Sequence, residues 1–352
     1  MERVLSGKKI VICAGPGGVG KTTSSAALAV GLAMRGQRVV VVTIDPARRL
    51  ANALGLDALL DEPRRIDPGL FDEMQGELWA LMLDSKRTFD SLIERVAPSE
   101  QARDEVLRNP IYVQLSSAVA GTQEFTAIAK LHELSQSDDF DVIVLDTPPS
   151  RNALDFLDAP DRLTGFLTGR AGRMFLRPGR LFGAGTAVVF SALRRATGVG
   201  LLDDLSIFFR ALGGMIPELA ERGSHVKALL ASPDTTFLLV TSLEPEPVAE
   251  TIYFHERLRE AKLPFGAVIV NRVHPPVADD DEDLPVDAAL AAKVAEGAAE
   301  AALLAARDAD GLERLRDALT DPRVVPVPQL PGDVHDLEGL AQVGEHLFTP
   351  AV

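Results

Sequence analysis

The chain has one cysteine, Cys13, in 352 residues. That excludes a disulfide framework, and any CxxC zinc site within a single chain. Aromatic residues are scarce, 5% in all with one tryptophan and two tyrosines. Trp79 and Tyr112 are accordingly expected in the core rather than against a cofactor. The six histidines, His132, His225, His255, His274, His335 and His346, show no metal-ligand spacing and read as surface or capping residues. Basic side chains are outnumbered 36 to 51, for a formal charge of −15. A surface of that sign excludes nonspecific binding of nucleic acid or anionic lipid by the whole molecule, though not through a local basic patch. No apolar run approaches the ~18 residues of a membrane span. The basic start leads into the apolar run Ile10–Ala14, which is too short for a secretory leader. The expectation is a cytoplasmic chain that reaches a membrane, if at all, through a partner.

What remains is ordinary globular material, 46% apolar and 25% charged, enough for a large core. Short β-branched runs at Lys9–Ala14, Arg38–Ile44, Leu78–Leu83, Asp141–Leu145, Thr236–Thr241 and Phe265–Val270, with a weaker one at Val324–Val327, read as strands. Several are almost continuously apolar, as in strands covered on both faces. With helical patterns between them, they predict an α/β fold: a mostly parallel sheet with helices on both faces. The order of its strands is not readable from one sequence. The rhythm breaks twice, for more than fifty residues before Asp141 and for almost ninety after Asp146, where a crossover needs about 10–15. Both intervals carry helical patterning, for example Val113–Leu134. The expectation is one domain over 1–352, with an α/β core of 1–83, 137–160 and 233–352. A helical subdomain of 84–136 and 161–232 is inserted into it.

Three segments stand out in composition. Arg162–Leu202 carries seven arginines and eight glycines among apolar residues, with no Asp or Glu. It reads either as a lid with solvated arginines or as a surface for an apolar partner flanked by positive charge. The acidic run Asp279–Asp283 reads as a solvated loop. Ala288–Leu319 is alanine-rich and reads as one or two surface helices, with Gly297 and Gly311 as candidate breaks.

The segment with most chemical content is Gly15-Pro16-Gly17-Gly18-Val19-Gly20-Lys21-Thr22-Thr23. It fits G-x-x-x-x-G-K-[ST] between an apolar strand and an alanine-rich helix, Thr22–Arg35, where that pattern binds phosphate. Glycines let successive backbone N–H groups turn toward phosphate oxygens, and the helix N-terminus adds unpaired donors and its positive dipole end. Lys21 supplies a point charge near the β/γ phosphates. Thr22 offers a hydroxyl ligand to Mg²⁺. Gly15, Gly17, Gly18, Val19, Gly20, Lys21, Thr22 and Thr23 are the expected phosphate-binding set. Asp45 and Asp146 each close an apolar strand at its C-terminal end, the edge at which open α/β sheets bind ligands. Asp146 suits a magnesium role through a coordinated water, as a Walker B aspartate does. Either aspartate would also serve as a plain helix cap. The late strand ends Val270-Asn271-Arg272-Val273, without the [NT]-K-x-D of a guanine-binding protein, which favours adenine.

The loop core Gly-Gly-Val-Gly-Lys-Thr-Thr resembles the deviant Walker A loop of the SIMIBI class of ATPases. Three further segments narrow the likeness to the ArsA-type family, which includes arsenite-pump ATPases and the ATPases that target tail-anchored proteins. Thr43-Ile44-Asp45-Pro46-Ala47 looks like the family's switch I. Asp146-Thr147-Pro148-Pro149-Ser150 looks like its switch II. Val270-Asn271-Arg272 and Pro326-Val327-Pro328-Gln329-Leu330-Pro331 are similar to its adenine loops. Asp146-Thr147-Pro148-Pro149-Ser150-Arg151-Asn152 and Ala120-Gly121-Thr122-Gln123-Glu124 most resemble actinobacterial-type members. The likeness covers the whole chain. It implies a P-loop NTPase fold and hydrolysis of ATP with Mg²⁺. It also implies catalytic roles for Lys21 and for Asp45, which would orient the attacking water, and adenine contacts from Asn271 and Pro328. A dimer that opens and closes with the nucleotide follows from the same likeness.

Two departures matter. The deviant loop has a second lysine directly after its first glycine, reaching the phosphates of the opposite subunit in dimeric members. Here that position is Pro16, with neither charge nor N–H. The expectation is a second, lysine-bearing ArsA-type subunit in preference to a homodimer, unless Arg48, Arg49 or Arg151 substitutes. Arsenite pumps bind As(III) through grouped cysteines, which one buried-strand cysteine cannot provide. The preferred reading is an ATPase that moves its helical subdomain around a hydrophobic or membrane-protein segment. The alternatives are the soluble motor of an anion or metalloid exporter, and an ATP-dependent regulatory or assembly module.

Overall fold

The computed structural model describes residues 1–44, 49–54, 56, 62–67, 74–110, 112–113, 122–147, 215–277, 288–319, 323–334 and 336–349. Eight strands form one sheet: β1 Ile10–Ala14, β2 Arg38–Thr43, β3 Arg64–Arg65, β4 Glu77–Met82, β5 Val142–Asp146, β6 Thr235–Thr241, β7 Phe265–Val273 and β8 Val324–Pro328. The described helices are α1 Glu2–Leu5, α2 Lys21–Met34, α3 Arg49–Ala53, α4 Ser85–Val96, α5 Glu100–Leu107, α6 Thr122–Gln136, α7 Ile216–Leu230, α8 Pro245–Glu260, α9 Ala288–Ala318 and α10 Leu337–Phe348.

The strand order is β3-β4-β2-β5-β1-β6-β7-β8. All neighbours are parallel except β3 and β4. The chain is an α/β protein with a mostly parallel sheet. β3 is the strand that sequence patterning does not reveal. It has two exposed arginines and no alternation to read. β1, β5 and β6 are buried at every residue, because helices cover both faces. The carboxyl ends of β1, β2, β5, β7 and β8 lie along one edge, which gathers Ala14, Thr43, Asp146, Val273 and Pro328.

By packing, the chain divides into two compact units, Met1–Met82 with Ser137–Ala153 and Ala231–Val352, and Leu83–Gln136 with Leu154–Leu230. In the first, α2 is buried from Ser24 through Ala33. Its small face admits α10 so closely that Gly31 lies under the Phe348 ring and Gly344 over the Ala27 carbonyl. Arg35 closes the end of that contact, with its guanidinium carbon 4.1 Å from the Phe348 ring centre. Cys13 is fully buried among these side chains, and burial pushes its thiol up to about 12. In the second unit, Tyr112 stacks on Phe89 at 5.9 Å and donates its hydroxyl to Asp90. Tyr112 is thus a core residue, and in the first unit Trp79 packs edge-on against Phe140. The segments Asp279–Asp283 and Arg162–Leu202 lie outside the described residues. The alanine-rich stretch is one unbroken helix, α9, through both Gly297 and Gly311. Alanine's high helix propensity outweighs two glycines at about 1 kcal/mol each.

Candidate active site

The phosphate loop leaves β1 at Ala14 and is shaped by two crowded glycines. Gly15 has φ +148°, and a Cβ there would overlap the Val240 carbonyl oxygen on β6. Gly20 has φ +89°, and its missing Cβ makes room for the Asn271 side-chain amide. Between them Gly17 and Gly18 are exposed, while Val19 is buried and anchors the loop.

The N-terminus of α2 opens into this loop. Side chains of Asp84, Ser99 and Asp336 accept the first N–H groups of α4, α5 and α10. α2 instead starts from Gly20 and has no side-chain cap. A helix start without a side-chain cap is the kind of terminus at which anions bind.

The loop lysine and the strand-end carboxylate meet nearby. Lys21 is buried, and its Nζ donates to the carbonyls of Gly15 at 2.9 Å and Pro16 at 2.6 Å. Thr22 Oγ1 donates to Asp146 Oδ2 at 2.8 Å, and Thr43 Oγ1 donates to the same oxygen at 3.0 Å. Asp146 is 1% exposed, so these hydroxyls hold a carboxylate that water scarcely reaches. Thr147 donates through Oγ1 to the Cys13 carbonyl at 2.9 Å, tying the start of the following loop to β1. Asp45 lies outside the described residues, as do Arg48 and Arg151. β2 delivers the chain to Thr43, in register with Asp146.

The far end of the cleft is built by β7 and β8. Asn271 is buried, and its Nδ2 donates to the Val19 carbonyl at 3.0 Å. That bond uses the donor end of the amide and couples this strand to the phosphate loop. Arg272 follows with φ +59°, in the left-handed region that a residue with a Cβ rarely adopts. A register shift between Val270 and Val273 accompanies it, as bulges do where a strand re-aims its side chains. Gln329 N–H donates to the Val273 carbonyl at 2.8 Å, joining the two loops. The resulting cleft of about 440 Å³ is lined by Gly18 and Gly20–Thr23, by Thr147, and by Asn271, Arg272 and Pro328–Leu330 among others.

Behind this strand exit stands an ion cluster that sequence reading missed. Asp308 on α9 is 1% exposed. It accepts from the His274 backbone N–H at 2.9 Å, and from Arg307 Nε and Nη2 at 3.1 and 2.8 Å, with His274 Nδ1 at 2.8 Å. Burial pushes its carboxyl upward, but the hydrogen bonds from His274 and Arg307 outweigh burial and hold it below the usual range. Thr43, Thr147 and this cluster lack a local signature. Apart from Arg307, which is next to Asp308, their partners lie from 34 to 134 residues away in the chain.

Residues 8–349 match the anion-transporting ATPase family. The chain belongs to that family. It is an ATPase, converting ATP and water to ADP and phosphate. Among its relatives, the ATPase GET3 of Malassezia globosa is 27% identical over 99% of this chain and 94% of that one. The putative arsenical pump-driving ATPase 1 of Aquifex aeolicus is 28% identical over 76% of this chain and 64% of that one. The ATPase GET3C of Arabidopsis thaliana is 26% identical over 76% and 68%. In this anion-transporting ATPase, the described helices include none long and apolar enough to cross a membrane. The described residues also contain no cluster of three or more His, Cys, Asp or Glu fit to hold a metal.

Proposed function

We propose that the cleft takes ATP with its phosphates in the loop Gly15–Thr23 and its base between Asn271 and Pro328. The observation that carries this reading is one cleft shared by an uncapped helix N-terminus, Lys21, Thr22 and Asn271, with Asp146 hydrogen-bonded to Thr22. The Lys21 ammonium already donates to loop carbonyls, so nucleotide replaces one set of acceptors with phosphate oxygens. Asn271 reads the base with the amide oxygen that its bond to Val19 leaves out. That oxygen accepts from adenine's amino group and opposes the carbonyl of guanine.

The donor set fits magnesium. Its ligands here are oxygens only, a hydroxyl and a carboxylate in contact, and magnesium sites are completed by phosphates and water rather than by protein cages. Thr22 would hold the ion directly and Asp146 through water. When bound, magnesium neutralises charge on the β/γ oxygens. Asp45, two residues beyond the end of β2, orients the attacking water. Stopped turnover in K21A with retained folding supports the site, whereas unchanged turnover contradicts it.

The working unit is a dimer. Pro16 is buried and gives only its carbonyl to Lys21, so this loop brings no second cation to the transferring phosphoryl group. A cation there can be worth ~10³–10⁵ in rate. A second ArsA-type subunit with lysine at that position supplies it. Mixing with such a subunit raises turnover severalfold or more; robust turnover by this chain alone as a homodimer counts against the pairing.

Nucleotide-driven switch motions then act on the unit Leu83–Gln136 with Leu154–Leu230, whose arginine-rich stretch suits a hydrophobic or membrane-protein segment. Deletion of Arg162–Leu202 abolishes capture of an apolar helical peptide; unchanged capture removes the cargo reading. The name of the Aquifex aeolicus relative favours an exporter motor as second reading. Against it stands the lone thiol, buried and kept protonated. Arsenite should leave hydrolysis unchanged.

A further inference from the structure

We infer that the outer half of α9 pairs antiparallel with the same helix of a second copy of this chain. α9 has 31 residues and spans about 46 Å. Its inner half is packed, burying Asp308, Gly311 and Leu315, with Gly311 against Leu243. These positions step by three and four. Continued toward the N-terminus, the same steps reach Leu304, Ala301, Gly297, Val294 and Leu290. There the stripe comes out into solvent: Val294 is 53% exposed and Leu290 47%. A 3-4 apolar stripe is the seam of a two-helix pair. Gly297 marks it independently. Glycine weakens a helix relative to alanine, and nothing lies within 4 Å of the place where its Cβ would be. No neighbour among the described residues requires glycine at that position.

Charge decides the occupant. In an antiparallel two-fold pair centred between Ala295 and Glu296, Val294 of one copy meets Gly297 of the other, and Leu290 meets Ala301. Flanking positions then set Lys293 of each copy against Glu300 of the other, two opposite-charge contacts from one symmetric interface. On the other flank Ala291 and Ala298 face each other, small enough for axes about 8 Å apart. A parallel pair would set Lys293 against Ala298 and gain no charge contact. Among the described residues none of α9 lines the nucleotide cleft. The pairing does not draw on residues of that cleft, and substitutions in α9 distinguish it from the proposed catalytic dimer.

Sedimentation of the full chain, with and without Mg-ATP, tests this. The wild type should self-associate without nucleotide. K293E and E300K should each raise the dissociation constant roughly tenfold by making both contacts repulsive. The double reversal K293E/E300K should return it to near the wild-type value, and G297L and V294K should give monomers. These side chains are exposed, so unchanged thermal melts check that folding survives. A wild type that stays monomeric at about 100 µM without nucleotide overturns the proposal, since a useful pair forms well below that. So does a double reversal that fails to restore association. A dimer that needs Mg-ATP and ignores all these substitutions belongs to the catalytic face and overturns the α9 assignment alone.

Discussion

The Lys21 ammonium is buried against the Gly15 and Pro16 carbonyls, so its removal leaves both acceptors and the incoming phosphates without a cation. K21A should lower the rate constant for hydrolysis by about 10²–10³, measured as phosphate release at saturating Mg-ATP. Asp146 shares one oxygen between Thr22 and Thr43. D146N should raise the magnesium concentration for half-maximal turnover about 10–100-fold, read from a magnesium titration at fixed ATP. N271A loses the bond to Val19 and, with it, the proposed base contact. The KM for ATP should rise about tenfold, and the preference for ATP over GTP should fall with it. The residues of this group were legible because their signals are local: a nine-residue loop, an aspartate closing an apolar run, an asparagine closing another. Thr43, Thr147 and Val240 were not. Each earns its place through a contact with a distant strand, and no spacing in the chain encodes which strands are neighbours. Asp308 was hidden for a related reason, as one acid in a helix rich in them. Only the fold brings it to His274.

Elements position these residues through a few tight contacts. Gly20 starts α2 in a left-handed conformation while making room for Asn271. G20A should cost about 1–3 kcal/mol of stability and weaken nucleotide binding as well, checked by denaturant unfolding beside nucleotide titration. The Asp308 cluster holds the exit of β7, where Arg272 sits in its left-handed conformation. D308N should destabilise the protein by about 2 kcal/mol at pH 7. The pH dependence has a definite sign. A depressed carboxyl stabilises fully above its unfolded value near 4 and loses that contribution as pH falls through the lower folded value. The gap between wild type and D308N should therefore close as pH falls below about 4. At this scale the apolar strands were readable because burial on both faces writes continuous hydrophobic runs. β3 was not, since an exposed two-residue edge strand writes nothing. The unbroken α9 was read with two possible breaks, because glycine lowers helix propensity without forbidding it.

At the scale of the molecule, an α/β unit carries the candidate cleft, and a second compact unit is encoded in two separate stretches of chain. Those stretches showed in the sequence as gaps in the strand rhythm. The composition of the second unit names at most a class of partner, not a partner. The charge of −15 makes close approach of two copies salt-dependent, so the overall repulsion between copies should fall as ionic strength rises to physiological values. Everything downstream requires that the loop from Gly15 to Thr23 and the carboxylate of Asp146 serve one triphosphate. Calorimetric titration of the folded chain with Mg-ATP tests that most directly, using a non-hydrolysable analogue to separate binding from turnover. Saturation at one nucleotide per chain, weakened in K21A and in N271A, is the expected result. Folded wild-type protein that takes up no nucleotide, alone or with a lysine-bearing companion subunit, would contradict it.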